Sequence, residues 1–194
     1  MKTIFFIIIS LFTLSCSKIK RPKLECYNLR KIDSSEYYNN KVYPKAFKKN
    51  HNLRKINHEI KIPNQKIVFK DDFSDENFVE FSVEGAVNNW LLIKEQNYNQ
   101  DYYFLISNNE IDTLLGKPHF FSTKVLSIED SHTDSQETIE IWDIQNDHKL
   151  KLYQKFSLKN CKSLIEDSYL LKNYLFMKTK NKLQKPEYFK IKYE

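Results

Sequence analysis

Glu129-Asp130-Ser131-His132-Thr133-Asp134-Ser135 is the densest run of chemistry-bearing side chains in this sequence. Carboxylates around an imidazole are the donor types of a divalent-cation site. Two carboxylates facing each other at about 5–9.5 Å could instead cleave a glycosidic bond. The run lacks the glycine and the closing glutamate of a calcium loop. It also lies between two apolar runs that read as strands, where a solvated hairpin loop is expected. Asp71-Asp72 with Asp75-Glu76 has a similar composition and reads as an exposed turn. An enzyme made from this chain would be a hydrolase using loop carboxylates, with an acidic cleft containing at least two of Asp71, Asp72, Glu129, Asp130 and Asp134. His51 and His58 read as surface histidines, and His119, after Pro118, as a structural one. Gly85 and Gly116 stand far apart, so no phosphate-cradling glycine loop exists. The sequence contains no G-x-S-x-G elbow, no H-E-x-x-H and no C-x-x-C;. The residues therefore point to no cofactor, no metal and a non-enzymatic chain.

The three cysteines carry a different chemistry. Cys16 ends the run Ile4 to Ser15, which follows Met1-Lys2. A basic start, a short apolar stretch and a small residue before the cut make a secretory signal. The apolar stretch is shorter than the roughly 20 residues of a relaxed membrane span. With cysteine directly after Ser15, the segment resembles the signal peptide of a bacterial lipoprotein. That resemblance implies cleavage before Cys16, acylation of Cys16 by more than one chain, and a place in the cell envelope. Ser17 stands where aspartate would signal inner-membrane retention, so an outer-membrane protein facing the periplasm is implied. One acyl chain alone would hold a protein only marginally. Cys26 and Cys161 then remain, and outside the cytoplasm they either form a disulfide or stay as two thiols.

Charge divides the rest. Residues 17–65 hold 13 Lys/Arg and 4 Asp/Glu, a balance of +9, whereas residues 66–194 hold 17 and 21, a balance of −4. The basic stretch beside the anchor reads either as a membrane-hugging tether or as a solvated linker. Nucleic acid is not expected for an exported chain. From Lys66 onward, short Tyr-, Phe- and Ile-rich runs alternate with turn signals. The candidate strands are 66–70, 78–83, 90–95, 101–107, 110–115, 120–128, 138–144, 149–156, 169–178 and 187–193. With only 2 Gly in the chain, asparagine must serve turns such as Asn88-Asn89, Asn108-Asn109 and Asn146-Asp147. In 138–144, Ile139 and Ile141 point to one face and Trp142 and Ile144 to the other, so this strand is expected to be covered on both sides. Trp90 and Trp142 read as core residues rather than an aromatic platform.

The expected architecture is all-β: an antiparallel meander of blade-like or sandwich sheets, preceded by an irregular basic segment. The expected organisation is a signal peptide over 1–15, a basic segment over 16–65 and one β-rich domain over 66–194. Gly116-Lys117-Pro118-His119-Phe120-Phe121-Ser122, then Val125 to Ile128 and Thr138 to Ile144, resemble one WD40-type propeller blade completed by 149–156. The longer stretch 102–193 resembles uncharacterised bacterial proteins with a single such unit. The resemblance implies a fold and a binding surface, with no activity attached. The expectation is a lipid-anchored binding or interaction module, of inhibitor or immunity type among others. It meets the membrane through its lipid and an envelope protein or polymer through its body. A hydrolase and a structural accessory subunit are the alternatives.

Overall fold

The computed structural model describes residues 29–50, 52–74, 77–108, 110–131, 138–146, 148–157, 164–181 and 183–193. Three antiparallel meanders follow one another along the chain. The first contains β4 (Val79–Val87), β5 (Trp90–Asn97), β6 (Gln100–Ser107) and β7 (Glu110–Leu114), with the two-residue β10 (Asp130–Ser131) also paired to β6. The second runs through β8 (His119–Phe121), β9 (Lys124–Ile128), β11 (Thr138–Ile144) and β12 (Leu150–Ser157). It folds as a four-stranded antiparallel sheet in the order β12-β11-β9-β8. The third holds β13 (Leu164–Leu171), β14 (Tyr174–Lys180) and β15 (Pro186–Lys192), and its fourth strand is β1 (Arg30–Ile32), from the other end of the chain. A hairpin of β2 (Glu59–Lys61) and β3 (Val68–Lys70) forms a separate two-stranded sheet. The all-β expectation holds.

Alternation along the strands gives each central sheet two apolar faces. Leu53, Ile60, Ile62 and Phe69, on and around the hairpin, pack with Phe81, Ile93 and Ile106 of the first sheet. On the other face of that sheet, Trp90, Leu92, Tyr103, Leu105 and Leu114 meet Phe120 and Val125 of the second, flanked by Trp142 and Ile144. The second sheet then turns Leu126, Ile139, Ile141 and Phe156 toward the third, which contributes Leu175, Met177, Ile191 and Tyr193. The strand 138–144 is therefore covered on both sides as expected. A register shift between Ile141 and Trp142 sits where its apolar residues change face. Each wholly buried Leu, Ile or Phe in these layers contributes about 1.5–3 kcal/mol.

The turns are where the sequence reading needed correction. Asn88 and Asn108 adopt positive φ, at 51° and 49°, in the two hairpins expected there. The runs 120–128 and 169–178, each expected to be one strand, are both split. Ser122 (φ 46°) turns β8 into β9, and Lys172 (φ 53°) turns β13 into β14. Neither is a usual left-handed residue, and such a conformation costs about 1–2 kcal/mol. The apolar pairs Phe120–Val125 and Leu170–Leu175, in register across these turns, offset that cost.

The segment expected to be irregular has little regular structure between Asn40 and Asn57 but is built into the body. Its helix α1 (Ser34–Asn39) is capped by Asp33, whose carboxylate accepts from the Glu36 N–H at 2.6 Å. Glu36 stands three residues after that cap, as in a capping box. The helix lays Tyr37, fully buried, on the outer face of the third sheet. There its ring centroid lies 5.1 Å from those of both Tyr169 and Tyr188. The Tyr169 hydroxyl donates to the Tyr37 carbonyl at 2.6 Å.

Candidate functional site

After α1 the chain becomes a strap across the stack. Lys41 pairs with Asp167 on β13. The Lys45 N–H donates to the Phe120 carbonyl of β8 at 3.0 Å, and Lys48 and Ala86 of β4 exchange two backbone bonds of 2.8 Å. β13, β8 and β4 are the first strands of their meanders, and each is a sheet edge. The strap therefore occupies part of the edge polar groups that would otherwise invite another chain. Gly85 makes the crossing feasible. It sits at φ +140°, and a Cβ there would lie 2.6 Å from the Lys48 carbonyl oxygen.

The strap carries charge outward. Lys45, Lys48, Lys49 and Arg54 are exposed and have no carboxylate partner among the described residues. Several body lysines are paired instead: Lys94 with Asp101 (2.5 Å), Lys124 with Asp143 (2.5 Å) and Lys155 with Glu140 (2.6 Å), whereas Lys66, Lys70, Lys151, Lys172 and Lys185 are exposed and scattered over the body without an ion pair among the described residues. Tyr43 on the strap is 75% exposed, with the Lys41 ammonium 5.1 Å from its ring centroid. A cavity of about 270 Å³ is lined by Lys49, Asn50, Leu53, Arg54, Val83 and Glu84. The Glu84 carboxylate is paired with Lys117 at 3.3 Å.

The carboxylates singled out in the sequence have other work. Asp72 is exposed as expected, but Asp71 is not: its side chain is wholly buried. The Phe81 N–H on β4 lies between the Asp72–Val79 and Lys48–Ala86 bridges. The Asp71 carboxylate accepts from that N–H at 2.8 Å, in place of a neighbouring strand. Its second oxygen receives the Lys55 ammonium at 2.8 Å and faces His58 Nδ1 at 3.3 Å. Burial alone would raise its pKa, but Lys55, the Phe81 N–H and His58 together hold it below the usual carboxylate range;. Glu129 accepts from the Thr138 N–H at 3.0 Å, and its own N–H donates to the Thr138 carbonyl at 2.8 Å. It thus ties β9 to β11. Asp130 is described only as backbone in β10. Cys16, Cys26, Cys161, His132 and Asp134 lie outside the described residues.

An aromatic row escaped the sequence reading. The rings of His58, Phe73, Phe78 and Tyr98 follow one another with centroid separations of 5.5, 5.7 and 5.4 Å. Phe73 is 51% and Tyr98 66% exposed. Neither belongs to a strand, so alternation could not flag them. Trp90 is buried against Phe120, at 5.2 Å between centroids, and Trp142 is half-buried in the same layer. They form no exposed platform. His119 is half-buried, and its pKa is pushed down by burial first and by Lys117 second. The pairs Lys94–Asp101 and Lys155–Glu140, each joining a half-buried lysine to a buried carboxylate, were also missed. Glu140 and Lys155 stand directly opposite across β11 and β12, a cross-strand charge match that could have revealed them once the register was known.

Among the described residues no group of three or more His, Cys, Asp and Glu could hold a metal ion, and no helix is long and apolar enough to cross a membrane. Comparison with family models, with curated proteins and with solved structures finds no match to the chain.

Proposed function

We propose that this chain is a lipid-anchored cell-envelope protein of the outer membrane, held by acylated Cys16, whose β-body serves as a non-enzymatic interaction module. Cys16 follows a leader of the right pattern, and β1, which begins soon after it, is stitched into the third sheet. A pull on the anchor would therefore be transmitted to the body. The observation that carries the interaction reading is the aromatic row beside Lys55, in which His58, Phe73 and Tyr98 are exposed and Phe78 is half-buried. Exposed aromatic side chains next to basic ones are the composition of interface anchors. The non-enzymatic reading is supported by Asp71 and Glu129, two of the carboxylates a hydrolase would use, being engaged with backbone N–H groups of different sheets. An inhibitor or immunity role lies within the interaction reading and turns on the partner.

Two measurements test it. Cells given radiolabelled fatty acid should label the wild-type protein and leave Cys16→Ala unlabelled; equal labelling of both would refute the anchor. A photo-crosslinking residue placed at Tyr98 should capture one protein species in intact envelopes. That capture should disappear when Phe73 is changed to Asp. Capture that persists unchanged in the Phe73→Asp variant would refute the interaction surface.

A further inference from the structure

We infer that the strap edge is the face on which the body lies against an anionic phospholipid bilayer. The inference builds on the anchored reading, and its test does without the anchor. Lys45, Lys48, Lys49 and Arg54 fall within ten residues, all exposed and all lacking a carboxylate partner among the described residues. They are not on a loose tether, because the strap backbone is fixed to β8 at Phe120 and to β4 at Ala86. Those strands belong to sheets that stack about 10 Å apart. The positive charge is thus spread along a line rather than gathered around one ligand, which suits a charged plane. Exposed Tyr43 beside Lys41 supplies the amphipathic ring typical of a membrane–water boundary;. The cavity between Lys49 and Arg54 offers two cations to a phosphate headgroup, while Lys117 occupies the one carboxylate in its wall. Residues 16–29 can span on the order of 40 Å when extended, enough for this edge to reach the leaflet that holds the acyl chains.

The test uses the processed chain from residue 16 carrying Cys16→Ser, so no acyl chain contributes. It should co-sediment with vesicles containing phosphatidylglycerol and not with pure phosphatidylcholine vesicles, and high salt should release it. Changing Lys45, Lys48, Lys49 and Arg54 together to Gln should weaken vesicle binding at least about tenfold. The double change Lys66→Gln with Lys70→Gln, at the exposed hairpin, should weaken it no more than about twofold. If the fourfold variant melts lower than its parent, Lys49→Gln with Arg54→Gln replaces it, with a several-fold loss expected. Equal binding to neutral vesicles would overturn the inference, as would unchanged binding by the strap variants or an equal loss in the hairpin variant. Uptake of poly-glutamate without binding to vesicles would assign the face to an acidic protein and overturn it too. Binding of this Cys16→Ser chain to anionic vesicles, together with no fatty-acid labelling of the wild-type protein in cells, would refute the anchor while leaving the strap face standing.

Discussion

Gly116→Ala is expected to destabilise the protein by about 3 kcal/mol or more, an overpacking cost at the upper end of its class. A Cβ at this position would lie 1.5 Å from the Ile128 carbonyl oxygen and 2.3 Å from its carbon. Both are backbone atoms, so no rotamer change can make room. The buried Ser127 hydroxyl locks the same contact, accepting from the Gly116 N–H and donating to the Gly116 carbonyl, each at 3.0 Å. Moving the chain away from Ile128 would break both bonds and displace the entry to β8. For a domain of this size the loss corresponds to a melting temperature lower by roughly 10 °C, read by circular dichroism. A variant that melts within about 2 °C of its parent would show that the contact relaxes at little cost.

Asp71→Ala should cost about 2–4 kcal/mol. It strips the Phe81 N–H of its acceptor and leaves Lys55 with only Glu80, at 3.2 Å. Asp71→Asn keeps an acceptor of the same shape and should cost less. The two can be separated by pH. Because the folded-state pKa of Asp71 is depressed, its charge contributes stability that is present above the unfolded carboxyl value near 4. That stability is lost as pH falls through the lower folded value. Urea unfolding at neutral pH should therefore separate wild type from Asp71→Asn, and the gap should close in the acid range. A gap that stays constant with pH would assign the cost to shape rather than to charge.

Periodicity carried most of the fold. Apolar alternation marked nearly all the body strands, and the two-faced pattern of Ile139, Ile141, Trp142 and Ile144 marked a strand inside a stack. The failures have two physical causes. Ser122 and Lys172 adopt left-handed turns because apolar residues on either side force the reversal, so no local residue signal announces them. β1 and the strap owe their order to partners far along the chain: Lys31 lies opposite Phe189, and Lys45 meets Phe120. A window of neighbouring residues cannot contain that information. The candidate site was less legible than the fold. Basic residues were visible as a surplus, but which of them lack partners depends on where the carboxylates fall in three dimensions. Asp71 looked like one more loop acid until the gap at Phe81 gave it a task.

The pairing of β1 with β15 sets a schedule for biogenesis. β1 is among the first parts of the described body to leave the ribosome, whereas β15 ends at Lys192. The first strand must therefore wait through the synthesis of β2 to β14 before its partner exists. Contacts this distant in sequence slow folding. Until the third meander arrives, the apolar side of the second sheet, with Leu126, Ile139 and Ile141, has nothing to cover it. The period before β15 closes the third sheet is thus when the protein most needs a chaperone, and a chain shortened before β15 would remain in that vulnerable state.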